Sequence, residues 1–95
     1  MAVIWSKKSV ANLKKIWNFY TFNLNTIYGA NNIVKGIKKT GAALNPNFLH
    51  QSEAYLATNQ YRAIYKHFKI VYTVRNNDIH ILQIFDSRQL PLKIK

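Results

Sequence analysis

Three basic side chains stand at comparable places in three successive runs of β-branched and aromatic residues. Arg62 lies near the start of Tyr61-Arg62-Ala63-Ile64-Tyr65, and Lys69 near the start of Phe68-Lys69-Ile70-Val71-Tyr72-Thr73-Val74-Arg75. Arg88 follows the end of Asp78-Ile79-His80-Ile81-Leu82-Gln83-Ile84-Phe85. Clustered guanidinium groups can stabilise negative charge that builds on a phosphate without exchanging protons. The same three residues can equally be strand-end charges that keep a sheet soluble. The remaining polar side chains offer less. His50, His67 and His80 lack metal-ligand spacing and the chain has no cysteine, so no metal site is expected. Of the three acids, Asp78 belongs to a turn, Glu53 to a loop, and Asp86 beside Arg88 forms a local ion pair or orients that arginine. Paired-carboxylate acid–base chemistry is therefore not expected.

The elements that would position these residues form one unit. A chain of 95 residues with 48% hydrophobic content suffices for a single domain over 1–95, burying about 60–65% of its unfolded surface. Without cysteines it needs neither disulfides nor an oxidising compartment. Apolar stretches are interrupted by Lys, Asn or Thr well short of the roughly 20 residues a membrane span requires, and Met1 to Trp5 is too short for a signal peptide. The expected location is the cytoplasm. Fourteen Lys and Arg against three acids give a formal charge of +11, whose self-repulsion opposes compaction unless an anionic partner is near. Nucleic acid, a nucleoprotein machine and an acidic protein all qualify.

Ala2 to Trp5 reads as a strand, and Ser6 is placed to cap a helix running to about Asn23. At about 100° per residue, Val10, Leu13, Ile16, Trp17 and Tyr20 share one arc, and Lys7, Lys8, Lys14 and Lys15 face away. Trp17 is the expected centre of the helix–sheet core. A second helix is predicted from about Thr26 to Thr40, with Ile27, Ala30, Ile33, Val34 and Ile37 inward, Gly36 costly or marking a close helix contact, and Gly41 as its C-terminal cap. The short Asn23-Leu24-Asn25 link makes the two helices an antiparallel hairpin. Ala42 to Gln60 is predicted as a loop. Asn76-Asn77-Asp78 is good hairpin-turn chemistry, Lys66-His67 a weaker turn, and Pro91 precedes a basic tail, Leu92 to Lys95. Trp5, Trp17, Tyr20, Tyr72 and Phe85 are expected in the core, whereas Tyr61 and Tyr65, on the face opposite Arg62, are the aromatics expected to be exposed for base stacking or for a partner.

The order β-α-α-β-β-β implies an α+β fold: an N-terminal strand and an antiparallel helix hairpin packed on one face of a mainly antiparallel four-stranded sheet, with the other face partly open. The opening strand ending in Trp5-Ser6, the helix hairpin, and the aliphatic-aliphatic-Tyr strand Ile70-Val71-Tyr72 together resemble the RelE/ParE family of bacterial toxins. The resemblance implies the toxin of a type II toxin–antitoxin pair, of the kind linked to plasmid stabilization and growth inhibition, neutralised by a small acidic antitoxin and working without a cofactor.

Within that family two mechanisms differ. In the messenger-RNA-cleaving branch, basic residues on the open sheet face surround the scissile phosphate and a C-terminal Tyr or His helps proton transfer. The matching basic residues are Arg62, Lys69 and Arg88. Lys69 stands where the nucleases usually carry Arg, Ile64 where some carry a second Lys, and Gln89 to Lys95 contains no Tyr or His. Lys69 could act as base only if Arg62 and Arg88 lie close enough to lower its pKa. The missing terminal group favours the ParE type, a binding protein that inhibits DNA gyrase, with Tyr61, Tyr65, Lys93 and Lys95 as candidate binding residues. A RelE-like ribosome-dependent endonuclease is the alternative. A non-catalytic nucleic-acid-binding module is the second.

Overall fold

A computed structural model of the chain describes residues 1–23, 27–53 and 55–88. Strand β1 (Val3–Trp5) leads into helix α1 (Lys7–Asn18), which ends in a π-helical turn (Phe19–Asn23). Helix α2 (Ile27–Ala42) follows, and then strands β2 (Tyr61–Tyr65), β3 (Phe68–Arg75) and β4 (Asp78–Asp86). The four strands form one sheet in the order β1-β4-β3-β2. β1 runs parallel to β4, and the other pairs are antiparallel. This is the expected α+β arrangement. The link at Leu24 and Asn25 lies outside the described residues. Neither described helix is long and apolar enough to cross a membrane.

Alternation along the strands divides the sheet into two faces. Phe68, Ile70 and Tyr72 of β3 pair with Tyr65, Ala63 and Tyr61 of β2. Together with Ile79, Ile81 and Ile84 of β4 they meet Leu13 of α1 and Ile37 of α2 in the core. Leu13 and Ile37 are buried because the 3.6-residue repeat aims them at the sheet. Two expectations for α1 fail. Val10 is 55% exposed and Trp17 only half-buried, because both line a groove between α1 and α2 and do not pack against the sheet. The core is therefore centred on the strands.

The junction between α1 and β4 is polar and specific. The Ser6 hydroxyl accepts the Ser9 N–H at 3.0 Å, capping the helix as expected. It also donates to the Leu82 carbonyl at 2.9 Å, while the Ile84 N–H donates to Asn12 Oδ1 at 2.9 Å. The register between β3 and β4 shifts at Val71/Tyr72, so Leu82 falls between paired residues. A bulge frees backbone groups from the ladder, and here side chains of α1 and its cap take them up.

Both glycines of α2 serve packing. A Cβ at Gly41 would lie 2.7 Å from the Trp5 ring and 2.9 Å from the Ile81 side chain, and one at Gly36 would overlap the Tyr65 ring. Gly41 is thus the point where α2 meets β1 and β4, not a C-terminal cap, and the close contact at Gly36 is with a strand. Both hairpin turns are tight. Asn76 and Asn77 take φ of 50° and 64° between β3 and β4, and Lys66 takes 54° between β2 and β3, so Lys66-His67, the weaker turn in sequence, is a two-residue turn as well. Asparagine tolerates this left-handed region better than most side chains.

Candidate functional site

Between α2 and β2, the described residues of 43–60 form no helix or strand, and they pass around the β2 edge as a strap. His50 fastens the first part. Its Nε2 faces the Pro46 carbonyl at 2.9 Å, an acceptor only, so Nε2 donates and Nδ1 is left to accept the Tyr72 hydroxyl at 2.8 Å. The ring also stacks on Tyr61 with centroids 4.8 Å apart. The Gln51 carbonyl accepts the Arg62 N–H at 2.8 Å. Beyond that point the strap lies on the face turned away from the helices, where the Thr73 hydroxyl donates to the Asn59 carbonyl at 2.8 Å and Tyr55 meets Phe85 edge to face at 6.1 Å. Val71 and Thr73 beneath it are buried. The strap thus covers the middle of this face and leaves it partly open, as expected, with Ile64 of β2 50% and Ile4 of β1 43% exposed.

Glu53 is the centre of this cover. Arg62 Nε donates to its carboxylate at 2.7 Å, and Lys69 Nζ donates to both oxygens at 2.5 and 2.7 Å. Lys69 also donates to the Tyr55 hydroxyl at 3.0 Å. Burial would raise the Glu53 pKa, but hydrogen bonds from Lys69, Tyr55 and Arg62 and the Lys69 charge carry it down from 4.5 to about 2. Burial would likewise lower Lys69, yet its bonds to Glu53 and Tyr55 hold the ammonium above its ordinary value. The arrangement in which Arg62 and Arg88 together lower the Lys69 pKa is not formed, because Lys69 faces the Glu53 carboxylate, which shifts it the other way.

Arg88 does not join Arg62 and Lys69. It forms a two-point ion pair with Asp86, Nε at 3.0 Å from Oδ1 and Nη2 at 2.5 Å from Oδ2, and its own N–H donates to Asp86 Oδ1 at 2.9 Å. That bond from Arg88, opposed by burial, lowers the Asp86 pKa. Tyr20 lies beside Arg88 and holds His67 Nε2 at 3.0 Å, while its ring packs toward Phe68 of the core. Arg88 therefore sits at the helix side of the sheet end, whereas Arg62 and Lys69 face the strap.

Tyr61 and Tyr65, expected to be exposed, are half-buried against the core. The alternation that turns Arg62 outward turns them inward, onto His50 and Tyr72 in one case and onto Gly36 in the other. Lys93 and Lys95 lie outside the described residues. Two participants escaped the sequence reading, Glu53 as the shared partner of Arg62 and Lys69, and the Tyr20–His67 pair. The signal for Glu53 was the excess of 14 cations over three acids, which leaves few acids to neutralise cations that the fold brings indoors.

A second surface lies between the helices. Trp5, Val10, Leu13, Trp17 and Val34 line an apolar groove of about 540 Å³, with Lys14 and Lys38 among its walls. Trp17 closes one end, its indole N–H donating to Asn31 Oδ1 at 2.9 Å and its ring meeting Phe22 edge to face.

The family model described as ParE toxin of type II toxin-antitoxin system, parDE, matches residues 3–91. The chain belongs to the ParE toxin family. Among solved structures, this ParE family toxin is similar to the chromosomal ParDE TA system from P. aeruginosa, with 20% identity over 90% of this chain and 95% of that one and a TM-score of 0.75. It is also similar to the YoeB dimer from Staphylococcus aureus, at 21% identity over 87% of this chain and 92% of that one, with a TM-score of 0.43. The YoeB-YefM complex from Staphylococcus aureus gives 24% identity, coverage of 86% and 91%, and a TM-score of 0.41. No curated protein matches the chain.

Proposed function

We propose that this ParE family toxin acts by binding, with DNA gyrase as its target, and cleaves no RNA. The reading rests on one observation: the three basic residues that correspond to nuclease positions do not converge. Arg62 and Lys69 are held by Glu53 under the strap, and Arg88 is held by Asp86 at the other side of the sheet. A phosphate approaching any of them would meet a carboxylate already in place, and preorganised charge stabilisation requires donors aimed at an unfilled position. The basic tail containing Lys93 and Lys95 is assigned to the target-binding surface, together with the exposed lysines of the helices.

The partner is a small acidic antitoxin. The similarity to a ParDE system supports it, and so does the groove between α1 and α2, whose apolar floor and lysine walls suit an amphipathic helix carrying acids at its margins. A charge of +11 steers such a partner, so association slows as salt rises.

Purified protein tested in parallel for inhibition of gyrase supercoiling and for ribosome-dependent mRNA cleavage decides the mechanism. Inhibition without cleavage is expected. Cleavage at defined codon positions, lost in Arg88→Ala, would overturn the proposal.

A further inference from the structure

The turn end of the helix hairpin carries aromatic side chains that the core does not use. Phe22, in the π-helical turn, is 75% exposed, and Tyr28, in the first turn of α2, is 79% exposed. Phe19, in the same π-helical turn, is 47% exposed. The rings are nonetheless held. Phe22 meets Trp17 edge to face with centroids 6.3 Å apart, Phe19 meets Tyr20 at 5.5 Å, and Trp17 is itself tied to Asn31 of α2. The turn that presents them is unfavourable in one respect, since it leaves the Thr21 hydroxyl buried with no hydrogen-bond partner among the described residues. Such π-helical turns recur at functional sites.

Charge says what kind of surface covers this end. α1 carries four lysines and α2 three, and neither helix has an acid or an arginine. Glu53, Asp78 and Asp86 all lie on the strap or in the sheet. The aromatic end thus stands in a cationic layer, complementary to an apolar recess with an acidic rim. Phe19, Phe22 and Tyr28 are not among the residues of the groove between the helices, which only Trp17 shares with this end. We infer that Phe22 and Tyr28 are the anchors by which the toxin grips its protein target, with Phe19 at their margin and the helix lysines as the polar rim. The inference rests on the reading that this toxin acts by binding. Lysines alone would speed the encounter without selecting a partner, whereas a few large aromatic side chains carry most of the energy of a protein interface. Lys15 and Lys35, both exposed and each about two turns from one of the rings, are placed to meet the acids of the rim.

The test compares the wild type with a Phe22→Ser, Tyr28→Ser double variant. Growth arrest on induced expression, at matched levels of soluble protein, reads target engagement whatever the target, and inhibition of supercoiling by the purified protein reads gyrase. The double variant should lose growth arrest and inhibit gyrase at least about tenfold less, with an unchanged near-UV circular dichroism spectrum. Leu49→Ser, which removes a side chain 91% exposed on the strap, should leave both readouts as they are. A folded double variant that arrests growth like the wild type overturns the proposal, and so does a Leu49→Ser variant as impaired as the double one. Growth arrest retained while binding to phosphatidylglycerol vesicles is lost would give the rings to a lipid surface and overturn it too. A wild type that arrests growth without inhibiting gyrase refutes the gyrase target alone, and growth arrest by the double variant still decides the anchors. A wild type that does neither overturns both. Should the double variant not fold, the single variants Phe22→Ser and Tyr28→Ser decide by the same readouts.

Discussion

On the helix face of the sheet, Phe68, Ile70, Ile79 and Ile81 are sealed by apolar side chains from two regular helices. On the opposite face, Val71 and Thr73 are sealed almost as completely by a strap without regular structure, fastened by single polar contacts at Gln51, Glu53 and Asn59. Equal burial thus arises from unlike forces. The helix face depends on area removed from water and is indifferent to pH, whereas the strap face depends on one ionised carboxylate and responds to pH and salt.

The largest effect expected is on the helix face. Phe68→Ala removes a side chain that is 2% exposed and should cost about 3–5 kcal/mol by the cavity it leaves, read as a lowered urea midpoint. Trp17→Ala, at the half-buried edge of the groove, should cost only about 1–2 kcal/mol by lost apolar contact. Equal losses for the two variants would return the core to the helix side.

On the strap face, Glu53→Ala leaves two cations without their anion and should cost about 1–3 kcal/mol. The pH dependence sharpens the contrast. Glu53 has its pKa depressed from 4.5 to about 2 in the folded protein, so its stabilisation is complete above about pH 4.5 and is lost as pH falls through the folded value. Between pH 5 and 2 the wild type should lose stability that Glu53→Gln never had, whereas Phe68→Ala should keep the wild-type slope. A Glu53→Gln slope equal to that of the wild type would show that another carboxylate governs acid unfolding.

Arg88→Ala should change stability least, leaving the urea midpoint where the wild type has it, since its ion pair with Asp86 is exposed on the arginine side. A midpoint lowered as far as that of Trp17→Ala would make the sheet end a third structural region.

The unequal faces also explain what could be read from sequence. Period-two alternation in β2, β3 and β4, the Ser6 cap and the Asn76-Asn77 turn are local patterns, and each stands where it was expected. The strap has no period, and its defining contact joins Glu53 to Lys69 across 16 positions of sequence, a distance at which no local rule operates. Gly36 and Gly41 were misread for a related reason. Their role depends on Tyr65 and Trp5, side chains from other elements. For Arg62, Lys69 and Arg88 residue type was legible, but their separation onto different sides of the sheet was not.

The parallel pairing of β1 with β4 has a consequence for the order of events during synthesis. Val3 to Trp5 wait for Ile79 to Ile81, the Ala2 N–H waits for Asp78, and the Ser6 hydroxyl that caps α1 finds its acceptor on Leu82. The first strand made is thus completed by the last, and closing so long a loop is slow relative to local helix formation. A chain halted before Asp78 would hold both helices and the β2–β3 hairpin but not β4, the strand that pairs with both β1 and β3. Both helices are thus made before the strand that joins β1 to β3, and the sheet that receives them closes only once Asp78 to Asp86 have been added.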